Sequence, residues 1–198
     1  MKLAKITSVI RSRIIIHTYS GWINDNLSVL DIGCGTGVVS QELMKTFSFS
    51  KLVGCDIENY LLTDIPFIKL KSLNKLPFNN KAFDVAMFND VLHHTSFNNQ
   101  EALISDSLRV AATAFIFELN PTWLGKMLDF LINKIHNPRM NIPFTYRTPA
   151  GWQNIFKKMG LKYEIKNVKS PFWYPFRHIA YKIAPKRTLN FSRQNRPS

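Results

Sequence analysis

Short β-rich runs alternate along this chain with stretches in which apolar residues recur every three or four positions. The runs at Ser28 to Ile32, Lys51 to Cys55, Phe67 to Leu70, Phe83 to Asn89 and Thr113 to Leu119 each stop where Gly, Asp, Asn or Pro interrupts them, and they are read as strands. Helical spacing covers the first 20 residues (Leu3, Ile6, Ile10, Ile14, His17), Val38 to Phe47, Asn99 to Val110, and Thr122 to Ile135. A further helix opens at Thr148-Pro149, with Thr148 as N-cap, Trp152, Ile155, Phe156 and Met159 on its apolar stripe, and Gly160 after its end. Two late strands, Lys162 to Val168 and Arg177 to Ile183, bring the count to seven.

That order predicts an α/β fold: a seven-stranded, mostly parallel, Rossmann-like sheet with helices on both faces and an antiparallel last strand. The expected organisation is an N-terminal helix or lid over 1–26, a core domain over 27–185 with an insertion at about 121–147, and a basic tail over 186–198 without apolar period, expected to be disordered. In the insertion, Trp123, Leu124, Met127, Leu128, Phe130, Leu131 and Ile135 stand with Lys126, Lys134 and Arg139. Their spacing favours ordinary core packing, while an apolar substrate pocket, a membrane-surface patch and a dimer interface stay open, as they do for the aromatic run Pro171 to Phe176.

At 198 residues and 45% hydrophobic, the chain suits one globular domain with a real core. No stretch approaches the roughly 18–20 apolar residues of a spanning helix, and the first residues lack the apolar centre of a secretion signal, so the chain is read as cytoplasmic. The two cysteines, Cys34 and Cys55, suit a reducing compartment better than a disulfide scaffold. His93 and His94 have no partners at zinc-like spacing, so no metal is expected. The net charge of +13 admits nucleic acid, an anionic membrane surface or solubility alone. The basic residues are spread out, which favours the last, with peripheral membrane contact ranked above nucleic acid.

Chemistry concentrates where the first strand runs into Gly33-Cys34-Gly35-Thr36-Gly37 and then a helix. Alternate glycines allow left-handed backbone and close approach of a ligand to the main chain, and the following helix offers free N–H groups. The spacing departs from the dinucleotide fingerprint, because Val38 stands where its third glycine would be. Asp31, two residues before the first glycine, suits a cationic ligand better than a pyrophosphate. Alone, Asp31 could be a turn-stabilising residue and Asp56 a strand-end acceptor.

The segment Val29 to Gly37 resembles the first motif of class I S-adenosylmethionine (SAM)-dependent methyltransferases, of the small-molecule, methyltransferase type 11-like branch. Further matches run in the family's order: Val53-Gly54-Cys55-Asp56-Ile57, Leu76-Pro77-Phe78 to Ala86, Asn89 to His94, Leu108-Arg109-Val110, and Arg147 to Trp152 with Phe156 and Gly160. The resemblance implies SAM as cofactor and a contact set of Asp31, Gly33, Cys34, Gly35, Thr36, Gly37, Asp56, Ile57, Ser72, Leu73 and Asn89. It casts Asp56 as acceptor for both ribose hydroxyls, with Ile57 against the adenine. Two departures stand out. Ser72 occupies the place of the family's acidic adenine contact, and Ala111-Ala112-Thr113 replaces its Lys-Pro-Gly-Gly turn.

The implied activity is methyl transfer to a small acceptor, apolar or lipid-linked. The alternatives are an RNA methyltransferase, against which Asn89-Asp90-Val91-Leu92 replaces the Asn-Pro-Pro-aromatic motif, and a non-catalytic binding protein that keeps the fold. His94 is the candidate general base, because it follows the fourth strand where ligands of open α/β sheets gather, though it could equally pack in its loop. Tyr19, His17 and Tyr146 are candidates for the pocket wall, with core packing favoured for each.

Overall fold

The computed structural model describes residues 2–136 and 143–186, with the side chains of 2–6 and of 136 excepted. Arg139, the tail from residue 187 and the side chains of Leu3 and Ile6 lie outside the described residues. The elements run α1 (Lys2–Tyr19), β1 (Ser28–Ile32), α2 (Val38–Thr46), β2 (Lys51–Asp56), β3 (Phe67–Lys69), β4 (Phe83–Asn89), a 3₁₀ turn (Leu92–His94), α3 (Phe97–Val110), β5 (Ala111–Leu119), α4 (Trp123–His136), α5 (Pro149–Lys158), β6 (Leu161–Asn167) and β7 (His178–Pro185).

The seven strands form one sheet in the order β3-β2-β1-β4-β5-β7-β6. Pairing is parallel from β3 to β5, and β7 is antiparallel to both β5 and β6. The expected seven-stranded Rossmann-like architecture is therefore observed. The chain leaves β1 toward β2 on one side and returns to β4 on the other, so a crevice opens beyond the C-terminal ends of β1 and β4, the point where ligands of open α/β sheets bind.

The central strands are apolar on both faces because both are covered. Alternate residues feed two cores. Leu30, Ala86, Phe88, Ala114 and Ile116 face Leu103 and Ile104 of α3 and Trp152 and Phe156 of α5. Val29, Val85, Met87, Phe115 and Phe117 face Ile14, Ile15 and Tyr19 of α1 and Leu43 of α2. The first helix is thus part of the core and not only a cover for it. Thr148 caps α5 by accepting from Gly151 N at 3.1 Å, and Gly160 after its end has φ +66°.

Three departures from expectation bear on the site or its surroundings. Helix α3 starts two residues early because the Ser96 side chain caps it, accepting from Asn99 N at 3.3 Å. Strand β5 begins at Ala111 directly after α3, so the substituted family turn leaves no loop at all. Helix α4 forms as spaced, but its apolar face is not core: Trp123 is 76%, Leu131 45% and Ile135 70% exposed. Apolar spacing says which side of a helix is apolar, and only a neighbouring element can bury it. Among the described residues, no helix is long and apolar enough to cross a membrane.

Candidate active site

Strand β1 turns into α2 through three glycines, each with positive φ: Gly33 at 74°, Gly35 at 52° and Gly37 at 72°. The turn is anchored to β2, because Gly33 N and Cys34 N both donate to Cys55 O, at 2.7 and 3.1 Å. The glycines serve different ends. A Cβ on Gly33 would fall on the Val91 side chain, and one on Gly37 would come within 2.7 Å of Leu61 Cδ2, so these two permit tight internal packing. Among the described residues, a Cβ on Gly35 would meet nothing within 4 Å, which leaves the backbone there open to a ligand.

Asp56, half-buried at the end of β2, lies beside that opening. Its Oδ2 accepts from Gly35 N at 2.9 Å and its Oδ1 from Ile57 N at 2.7 Å. Each carboxylate oxygen retains a lone pair for a further donor. Burial raises the Asp56 carboxyl above its ordinary value, opposed by the backbone N–H donors of Gly35, Ile57 and Glu58.

Beneath the glycine turn sits Asp31, 1% exposed. Its oxygens accept from the Ser40 hydroxyl and from Asn89 Nδ2, the latter at 3.1 Å. Asn89 Oδ1 in turn accepts from the Tyr19 hydroxyl at 3.0 Å. Burial pushes the Asp31 carboxyl up to about 6 against the lowering effect of the Ser40 and Asn89 hydrogen bonds.

The folded state therefore holds this proton more tightly than the unfolded chain, whose carboxyl titrates near 4. Stability is expected to fall by about 2–3 kcal/mol as pH rises from about 4 to about 6 and to stay level above. Denaturant unfolding at pH 4, 5, 6 and 7 checks this by comparison with Asp31→Asn, which should lack that part of the slope; identical slopes in both proteins would refute it.

The chain leaving β4 carries two buried charge clusters. Asp90, with φ +56°, accepts through Oδ2 from His178 Nε2 at 3.0 Å and Arg11 Nη1 at 3.2 Å. Burial opposes its charge, but His178 and Arg11 prevail and hold the carboxyl well below the usual range. Glu118, 1% exposed at the end of β5, accepts from Val91 N at 3.0 Å and Leu92 N at 2.7 Å through Oε1. Its Oε2 meets His93 Nδ1 at 2.6 Å.

On the other side of the His93 ring, Nε2 lies 3.3 Å from Asp129 Oδ2 of α4, an ion-pair contact outside hydrogen-bond geometry. Tyr146 stacks on the ring at 5.1 Å and donates its hydroxyl to Asp129 Oδ2 at 2.7 Å. Burial disfavours the charged His93 ring, yet Glu118 and Asp129 outweigh it and raise its pKa to about 10. Burial, and then the neighbouring His93 charge, push His94 down to about 3.

Residues 30–114 match the family model described as a methyltransferase domain. A malonyl-[acyl-carrier protein] O-methyltransferase of Legionella pneumophila is 31% identical over 78 residues, covering 34% of this chain and 27% of that one. The chain thus spans about a quarter of the length of that curated relative. Among solved structures, a Haloferax volcanii protein in complex with the Trm112 methyltransferase activator superposes with a TM-score of 0.70 at 13% identity, over 94% of this chain and 96% of that one. The magnesium protoporphyrin IX methyltransferase of Synechocystis, solved with bound S-adenosylhomocysteine, gives 0.60 at 18% identity, over 92% of this chain and 84% of that one.

Residues 30–114 are therefore similar to a methyltransferase domain, and the whole chain shares the fold of these solved methyltransferases. The expected site residues Gly33, Gly35, Gly37, Asp56, Ile57 and Asn89 gather at the C-terminal ends of β1, β2 and β4. Ile57 is 46% exposed on the rim beside Asp56. Thr36 closes the turn through its carbonyl, which accepts from Leu62 N at 2.9 Å. The Cys34 side chain is buried, with its sulfur against Gly54. Ser72, exposed, and Leu73, half-buried, follow β3, and the Ser72 hydroxyl accepts from Asn74 N at 3.1 Å. Arg109 explains the Leu-Pro-Phe stretch, because its guanidinium donates to Leu76 O at 3.0 Å and Phe78 O at 2.8 Å and tethers it to α3.

Of the pocket-wall candidates, Tyr19 is fully buried and His17 exposed, while Tyr146 belongs to the His93 cluster. His94 is uncharged and only weakly basic at neutral pH, which argues against a proton-abstracting role.

Sequence reasoning missed Glu118, Asp90, Asp129, Arg11 and His178. Glu118 carried a readable signal, a single acid at the C-terminal end of an otherwise apolar strand. Asp129 carried a fainter one, the single acid of an apolar helix.

Proposed function

We propose that this domain binds SAM across Gly35 and transfers its methyl group to a small acceptor that is apolar or carried on a lipid. The observation that carries the reading is the open space over Gly35 directly beside the half-buried Asp56 carboxylate. When bound, SAM supplies a methyl group on a cationic sulfur, which a nucleophile displaces in line.

The residues present fit that ligand. Asp56 has the lone pairs to accept both ribose hydroxyls while keeping its backbone donors. Ile57 and Leu73 offer apolar surface to the adenine, and the Ser72 hydroxyl replaces a family carboxylate as a weaker acceptor. Asp31, ionised at neutral pH and linked outward through Asn89, places negative charge beneath the turn, which suits a sulfonium and an ammonium. With His94 a weak base, the chain's contribution is alignment of nucleophile, methyl carbon and sulfur, a sufficient source of rate for methyl transfer.

The acceptor class rests on the exposed apolar face of α4 together with Phe172, fully exposed, and Trp173, 56% exposed. Surfaces of this kind are typical of sites that take apolar ligands or lie against lipid, and the net charge of +13 suits an anionic membrane surface. Cytoplasmic placement with peripheral membrane contact accords with both.

The test is incubation with methyl-labelled SAM and fractionated lipid, metabolite and RNA extracts, alongside calorimetry of SAM binding. Label is expected in the lipid or small-molecule fraction. Asp56→Ala should weaken SAM binding by about 100-fold, the scale of losing two charge-assisted hydrogen bonds. Unchanged affinity in that variant would remove the proposed site, and label confined to RNA would overturn the acceptor class.

A further inference from the structure

His93, His94 and Asp129 each present a ligand atom, and these atoms all lie within 4.8 Å of one another. We propose that these three side chains form a binding site for a divalent transition-metal cation of the zinc class, holding the 3₁₀ turn after β4 to α4.

The spacing between His93 Nε2 and Asp129 Oδ2, 3.3 Å, is close to that between two donors on one tetrahedral ion, which at bond lengths of roughly 2.0–2.1 Å stand about 3.3–3.4 Å apart. Both His93 Nε2 and His94 Nε2 are buried and, among the described residues, have no hydrogen-bond partner. Buried imidazole nitrogens are ordinarily satisfied, and two orphans on adjacent residues beside a carboxylate call for a shared partner. His93 itself is only 2% exposed.

The groups behind the ligands are arranged as metal sites require. Glu118 Oε2 holds His93 Nδ1 at 2.6 Å, which fixes the ring and leaves Nε2 as the coordinating lone pair, the carboxylate-histidine-metal arrangement. Asp129 is oriented through both oxygens, Oδ2 by the Tyr146 hydroxyl at 2.7 Å and Oδ1 by Asn133 Nδ2 at 3.1 Å. Two carboxylates facing one imidazole supply the negative charge that a dication neutralises.

Two imidazoles and one carboxylate favour zinc-like cations over magnesium or calcium, which prefer oxygen donors throughout. Three protein ligands leave a coordination position for water or an acceptor oxygen. Sequence spacing conceals the site, because the third ligand lies on α4, 35 residues after His94.

The test uses tag-free protein freed of metal with EDTA, titrated with Zn²⁺ by calorimetry and with Co²⁺ by visible absorption. One Zn²⁺ per chain is expected, with a Co²⁺ d–d band of four-coordinate intensity. His94→Ala and the nearly isosteric Asp129→Asn should each weaken Zn²⁺ at least about 100-fold, and Glu118→Gln about 10–100-fold, with circular dichroism checking the fold of each. Failure of wild-type protein to take up either ion at one per chain, with His93 instead protonated between Glu118 and Asp129, would overturn the proposal, as would unchanged Zn²⁺ affinity in both folded ligand variants. SAM binding by the metal-free wild type is measured separately, so loss of the metal site and loss of the cofactor site are distinguishable.

Discussion

Gly33→Ala and Gly35→Ala, the same substitution two residues apart, are expected to fail by different routes. Both positions have positive φ, so each alanine carries a strain of about 1–2 kcal/mol. At Gly35 none of the described residues lies within 4 Å of the new methyl group, so the protein should fold with little loss beyond that strain. The methyl then stands in the space proposed for SAM, and SAM affinity should drop about 100-fold, or about 2.7 kcal/mol.

At Gly33 the new methyl falls on Val91, whose backbone N–H is fixed by Glu118 and whose segment cannot easily retreat. Overpacking added to strain should cost about 3–5 kcal/mol and lower the Tm by roughly 10 °C. Thermal unfolding and SAM calorimetry on the two variants check the contrast. A partial recovery of Tm in Gly33→Ala combined with Val91→Ala would identify the clash as the cause. Equal Tm values for the two single variants would contradict the assignment of one glycine to packing and the other to ligand.

The second large effect is at Glu118. This carboxylate satisfies two backbone N–H groups and one imidazole in a dry environment, so Glu118→Ala leaves three buried polar groups unpaired. Breaking a buried ion pair by removing one partner costs about 3–5 kcal/mol. Chemical denaturation should therefore show Glu118→Ala as one of the most destabilising single substitutions in the domain. Glu118→Gln, which keeps an acceptor for Val91 and Leu92, should lose roughly half as much, since hydrogen bonds to charged groups contribute about 1.5–3 kcal/mol each. A loss below about 1 kcal/mol for the alanine variant would mean that water or a rearranged turn replaces Glu118.

The position of the candidate site was legible before folding was considered. The glycine turn, Asp56 and Asn89 all sit at strand ends within short, locally readable motifs, and the sheet brings those ends together because parallel strands align their C-termini. The charge clusters were not legible in the same way. Arg11 and Asp90 are 79 residues apart, and His178 and Asp90 are 88 apart, so no local pattern marks them as partners. The His94 ring is a further case: its residue type suggests a base near neutral pH, whereas burial and the adjacent His93 charge make it a weak one.

The period of the apolar residues determined the seven strands and the helices between them, because backbone geometry ties each period to one kind of element, and the glycines determined the turn after the first strand. Only tertiary structure decided which apolar faces are covered and which charges meet. The α4 stripe has the spacing of a core helix and stays exposed, and Asp129 on that helix closes a cluster with His93 of the 3₁₀ turn after β4 and Glu118 of β5. Burial and ion pairing are properties of neighbours in space, and a local sequence pattern specifies its own surface but not what packs against it.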